Sequence, residues 1–158
     1  MVAGPEATLV AAIRRNWDRP TAKDWAVVLE RLPLFASVGK RQLRKIAGLA
    51  EVREFDAGDS VVQTGDAPDG FYLILGGRAK VTGRPRTRTL QPGDYFGEMA
   101  LLDGEPRSAT IVAVGELQTM RLPRKPFMRL LQREPTIGIA MLGELAKRLR
   151  RAEKPAAA

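Results

Sequence analysis

The chain contains no cysteine and no histidine. Those two absences remove disulfides, thiolate nucleophiles, imidazole general bases and every metal site that needs a Cys or His ligand. A metal would have to be held by oxygen ligands alone, and no Asp/Glu group has the spacing of a calcium loop. No catalysis and no metal are therefore expected. Long apolar runs are missing too: nothing approaches the roughly 20 residues that a membrane-spanning helix requires. At the N-terminus the apolar residues Leu9, Val10 and Ile13 come before Arg14 and Arg15, the reverse of a secretory signal. The reading is a cytoplasmic protein with no membrane insertion.

What is present is a chain of 158 residues, 44% hydrophobic and 28% charged, with a formal net charge of +8. This length accommodates one domain with a real core and a short helical appendage, and the composition is that of a globular protein. The positive charge invites a nucleic-acid partner, because Lys and Arg neutralise phosphates. It is spread, however, over Arg14-Arg15, Lys40-Arg41, Arg44-Lys45, Arg84, Arg86, Arg88 and residues 147–151, without interleaved aromatics or a DNA-binding motif. That distribution describes a solvated surface and argues against nucleic acid.

Periodicity divides the chain into three parts. Helical spacing predicts helices over 5–16, over 21–32 with Thr21 as cap and Asp24 at the capping-box position, and over 40–49 with Ser37 as cap. From 51 to 122 short alternating or apolar runs take over, at 52–55, 60–63, 71–75, 79–82, 87–90, 109–114 and 117–122. Glycine-bearing turns separate them, and many short strands at this spacing mean a β-sandwich or barrel. After Pro123 the helical period returns, over 125–132 and again from Pro135, with Met141, Leu142, Leu145 and Leu149 on one face. The domain assignment is a helical extension at 1–31, the main domain at 32–152 (strands about 51–122, helices about 124–152) and a frayed tail at 153–158. Too few residues follow the last helix for an output domain, so the chain is expected to act through another polypeptide.

One stretch carries chemistry. Gly97 passes directly into Glu98-Met99-Ala100-Leu101-Leu102, so the first free N–H groups of a short helix converge at a point where a glycine lets a ligand approach the backbone. Ten residues after the glycine comes Arg107, directly beyond Pro106, offering a permanent charge and a fork of donors suited to phosphate. Ser108 adds a hydroxyl. Glu98 would oppose a bare anion but accepts well from a hydroxyl. Anion and hydroxyl side by side describe a ribose phosphate.

The run Gly97-Glu98-Met99-Ala100-Leu101-Leu102 through Pro106-Arg107-Ser108-Ala109-Thr110 resembles the phosphate-binding cassette of the cyclic nucleotide-binding domain family. Leu32-Pro33-Leu34-Phe35, Phe55-Asp56-Ala57-Gly58-Asp59, Gly65-Asp66, Gly70-Phe71-Tyr72-Leu73-Ile74, Gly77-Arg78-Ala79-Lys80-Val81 and Gly93-Asp94-Tyr95-Phe96-Gly97 extend the resemblance over about 32–151. It implies an α+β fold: an eight-stranded, antiparallel, jelly-roll-like β-roll with N-terminal helices and two C-terminal helices. It further implies that Gly97 and the Met99 and Ala100 backbone meet a cyclic phosphate. Glu98 would take the ribose 2′-hydroxyl, Arg107 an exocyclic phosphate oxygen, and Ser108 the phosphate or base edge.

Val81, Met99 and Leu101 fit either a wall for the base or the core. Arg148, on the last helix, either caps the base or complements the helix dipole. Members selective for cyclic GMP often have threonine after the arginine, so Ser108 favours cyclic AMP and leaves cyclic GMP open. The function implied is a regulatory sensor that repositions its terminal helices on binding cyclic AMP and signals to an effector protein. A homodimer is left open. The basic helix at 40–45 and the short basic loop at 83–88 depart from many relatives, which bears on the partner surface and not the pocket; the alternative function is a degenerate scaffold whose basic helices dock an acidic protein or nucleic acid.

Overall fold

The computed structural model describes residues 20–83 and 87–153. The helix expected over 5–16, the tail after 153 and the centre of the basic loop at 83–88 lie outside them. Two four-stranded antiparallel sheets form the body. One has the order β1-β8-β3-β6, from β1 (Glu51–Phe55), β8 (Leu117–Pro123), β3 (Gly70–Gly76) and β6 (Tyr95–Phe96). The other has the order β2-β7-β4-β5, from β2 (Ser60–Val62), β7 (Thr110–Ala113), β4 (Ala79–Thr82) and β5 (Arg88–Leu90). The expected eight-stranded roll is what the chain forms. The strand that no run in the sequence announced, β6, has only two residues, too few to show a period.

β3 explains how the layers stack. Every residue from Gly70 to Gly76 is buried, so the strand reads as a continuous apolar run, as strands covered on both faces do. Successive side chains alternate. Phe71, Leu73 and Leu75 join the helices in one core, while Tyr72 and Ile74 join Val62, Leu90 and Ile111 between the sheets. Aromatic residues are scarce, 6% of the chain, and are concentrated where the layers meet. Phe35 makes edge-to-face contacts with Phe71 and Phe127, both at 6.2 Å, and Tyr72 stacks on Phe96 at 4.9 Å.

The helices are α1 (Ala22–Glu30), α2 (Lys40–Ala47), α3 (Glu98–Asp103), α4 (Arg124–Arg133) and α5 (Pro135–Glu153), with a 3-10 turn at Pro33–Phe35. Thr21 and Asp24 form the expected capping box. α1 stops before 32 because Pro33 holds Leu32 extended, at φ −84° and ψ 130°. Ser37 does not cap α2. The cap position falls to Gly39, two residues later, without a side-chain bond. The Ser37 hydroxyl instead donates to the Glu144 carboxylate on α5, a charged and therefore stronger acceptor. Lys45 pairs with Glu134 at the α4–α5 junction. These two contacts tie the N-terminal helical layer to the C-terminal helices.

Phe35 is fully buried at the junction of the 3-10 turn, β3 and α4. Replacing it with alanine is expected to cost about 3–5 kcal/mol, measurable as a shift of the urea midpoint with the slope unchanged.

Candidate functional site

The second sheet, β6 and the segment 97–109 enclose a cavity of about 620 Å³. That is within the range of about 300–1,000 Å³ for small-molecule pockets. Its floor is apolar, with Val62, Leu90 and Ile111; its rim carries Arg88, Glu98, Asp103 and Glu105. Gly97, Glu98, Met99, Ala100, Arg107 and Ser108 all line this one space, as does Val81. Leu101 does not. It is fully buried in the core shared with the helices, because one turn of α3 rotates it away from Met99 and the opening. Arg148 does not line the cavity either, but its Nη1 reaches Met99 Sδ and Glu98 Oε1, each at 3.7 Å, across the mouth.

Arg107 is the centre of the site. Its main chain is pinned twice to the β2–β3 connection: its N–H donates to Asp66 O at 2.8 Å, and its carbonyl accepts from the Gly65 N–H at 2.8 Å. Its side chain is only 5% exposed. A buried guanidinium is costly unless paired. Here Nη2 donates to Asp69 Oδ1 and to Gly70 O, both at 2.7 Å, and the guanidinium lies 5.8 Å from the centre of the Tyr72 ring. Nε is buried with no hydrogen-bond partner among the described residues.

Asp69 is the residue that reasoning from sequence missed. It serves three donors at once, taking Arg107 on Oδ1 and both the Tyr72 hydroxyl (2.7 Å) and Arg121 Nη1 (3.1 Å) on Oδ2. Burial works against its ionised form, but the bonds from Tyr72, Arg107 and Arg121 outweigh it and hold the carboxyl below the usual carboxylate range. Burial first, and then the Asp69 carboxylate, push the Tyr72 phenol up to about 12, so Tyr72 stays a donor. Arg121 is held in turn by Glu51 at 2.8 Å. The signal in sequence was slight: Asp69-Gly70 reads as a turn, and its partner arginine lies 38 positions away.

Gly97 sits at φ +85°, in the left-handed region, where it begins α3. A Cβ there would fall 2.5 Å from Arg107 Nη1 and 3.0 Å from Gly70 O. The glycine therefore leaves room for the arginine. The far end of α3 is held by Arg124, whose Nε donates to Ala100 O at 3.2 Å.

Two outcomes follow. Gly97→Ala is expected to displace the Arg107 guanidinium and to destabilise the fold by about 1–3 kcal/mol, read from urea unfolding. For Asp69, a depressed folded pKa means stabilisation that is present above the unfolded value of about 3.9 and lost as pH falls through the lower folded one. The stability gap between the wild type and Asp69→Asn is expected to be flat from neutral pH to about pH 5 and to shrink below about pH 4. A gap that is constant to pH 2.5 or so would deny the carboxylate this role.

Comparison with known proteins places the chain. The family model described as Cyclic nucleotide-binding domain matches residues 52–134. The cAMP-dependent protein kinase regulatory subunit of Aspergillus niger is 39% identical over 137 residues, covering 80% of this chain and 33% of that protein. The one from Mucor circinelloides is 40% identical over 133 residues, 76% of this chain and 31% of that protein. The chain spans about a third of the length of the curated relatives it matches. Among solved structures, the N-terminal domain of a transcriptional regulator from Streptomyces coelicolor A3(2) superposes with a TM-score of 0.68 at 29% identity, covering 78% of this chain and 91% of that one. The regulatory domain of Toxoplasma gondii PKA with cAMP gives 0.63 at 28% identity, covering 82% of this chain and 50% of that one. With the roll, the cassette and the family match agreeing, the chain belongs to the cyclic nucleotide-binding domain family.

Proposed function

We propose that the chain is a regulatory module that binds cyclic AMP in the cavity beside α3, without catalysing a reaction, and passes occupancy to an effector protein through its terminal helices. The observation that carries this reading is Arg107, a buried, ion-paired guanidinium that lines an apolar-floored cavity with its Nε lacking an acceptor. A cyclic phosphate supplies anionic oxygens to that fork. Gly97 and the backbone of Met99 and Ala100 complete the phosphate contacts, Glu98 accepts the ribose 2′-hydroxyl, and Ser108 meets the phosphate or the base edge. Val81 and Met99 form the wall for the base, and Arg148 closes over it. Support comes also from the relatives, whose names specify cAMP dependence, and from the Toxoplasma structure, which contains cAMP.

Glu98 and Arg148 supply the link to α5. In the structure Arg148 stands 3.7 Å from the Glu98 carboxylate. A ribose hydroxyl on Glu98 competes with that contact and changes what the last helix rests on. The shift can be no larger than the difference in ligand affinity between the two helix positions.

Calorimetric titration with cyclic AMP, cyclic GMP and linear AMP tests the proposal. Cyclic AMP is expected to bind most tightly. Each charge-assisted hydrogen bond is worth about 1.5–3 kcal/mol, so Arg107→Ala should weaken binding about 100-fold or more. Arg107→Lys should fall between, because it keeps the charge and loses the fork. Ser108→Thr should raise cyclic GMP affinity relative to cyclic AMP. Equal binding of cyclic AMP by wild type and Arg107→Ala would place the ligand elsewhere.

A further inference from the structure

α5 has two unlike faces. Toward the domain it turns Ile137 and Met141, both buried, and on the same stripe Glu144 and Arg148 reach Ser37 and Glu98. Away from the domain it exposes Ile139, Leu142 and Leu149, at 67%, 65% and 58%. Together with Ala146 these follow spacings of three, four and three, the a/d spacing of a heptad seam. Beside the seam stands Gly143, where an added Cβ would meet nothing within 4 Å. A second helix can approach closely there.

The flank of the seam is charged with one sign. At about 100° per residue, Arg150 and Lys147 follow the seam on the Gly143 side, with Arg151 beyond them, while Gly138 and Leu145 border the other side. The Lys147 side chain is 68% exposed. Glu144 lies toward the domain, engaged by Ser37 and Lys147. From Ile139 to Leu149 the apolar strip spans only about 80° of the helix surface. That is the width of a coiled-coil seam and narrower than the apolar face of a helix lying in a bilayer surface, and it holds no aromatic anchor. A second copy of the chain would bring the same cationic flank and another net charge of +8, which opposes pairing. An anionic helix meets only one like charge, the exposed Glu153 four residues after Leu149 at the end of the seam.

We infer that the outer face of α5 is a docking surface for a helical segment of a partner protein that carries leucine-type residues at heptad spacing flanked by Asp and Glu. Apolar side chains of that segment cover Ile139, Leu142 and Leu149, and its carboxylates face Lys147, Arg150 and Arg151. Charges beside such a seam set partner choice. None of the seam residues lines the cavity, so the inference stands whatever the cavity binds.

The test uses the full chain and two fluorescent three-heptad helical peptides with identical leucine seams, one flanked by Glu and the other by Lys. In fluorescence anisotropy the Glu peptide is expected to bind at least about tenfold more tightly, with affinity falling as salt rises. Leu142→Asp should abolish that binding while leaving the melting curve and cyclic AMP titration unchanged. Lys147→Glu combined with Arg150→Glu should reverse the preference toward the Lys peptide. Equal binding of both peptides, or of neither, overturns the inference. So does light scattering that finds a dimer converted to monomer by Leu142→Asp, since the face then belongs to a second copy. Capture of the chain by phosphatidylcholine vesicles containing phosphatidylserine, lost in Leu142→Asp, overturns it in favour of a membrane surface.

Discussion

The contact between Arg107 and Asp69 is the constraint around which the site is organised. A guanidinium at 5% side-chain exposure is tolerable only with a carboxylate against it, and Asp69 is itself held by Tyr72 and Arg121. Because Tyr72 belongs to β3 and Arg121 to β8, the charge pair is fixed by the two central strands of one sheet. Tyr72 is also stacked on Phe96, one residue before Gly97. The position of the cavity's cation is therefore tied to the packing of the sheet that carries it. A salt bridge of this kind adds little net stability; what it adds is placement.

Outside that fixed point, the last helix packs on the roll through both apolar and polar contacts. α5 rests on the domain through Ile137 and Met141, and through Glu144 and Arg148, which end on Ser37 and on the cassette residue Glu98. Polar contacts at partly exposed positions contribute about 1 kcal/mol or less each, whereas the aromatic cluster around Phe35 is worth several times that. The last helix thus reaches the cavity residues Glu98 and Met99 through polar contacts at Arg148, while Ile137 and Met141 anchor it in the core.

Much of this was legible in the sequence because the signals were local. The β3 run from Phe71 to Leu75, the Thr21–Asp24 capping box and the Pro135 start of α5 each depend on a few neighbouring residues, and each forms. The cassette was legible as a string whose glycine, carboxylate and arginine line one cavity. What escaped depends on distance in the chain. Asp69 meets Arg107 across 38 positions, and Ser37 meets Glu144 across 107, where no period or motif points from one to the other. Leu101 fits wall or core equally on chemistry alone; only the rotation of α3 sends it inward. β6 is fixed by pairing with β3 through Tyr72 and Leu73, which no two-residue pattern could announce.

If the buried guanidinium of Arg107 takes an anionic ligand in the cavity, its Nε–H group reports on that directly. Following the Arg107 Nε–H resonance by NMR during a cyclic AMP titration gives the most immediate test. This signal is expected to shift and to become protected from solvent exchange, with the same midpoint as the binding measured by calorimetry. Saturating cyclic AMP that leaves the Arg107 side-chain resonance unmoved, while backbone signals elsewhere respond, would contradict it.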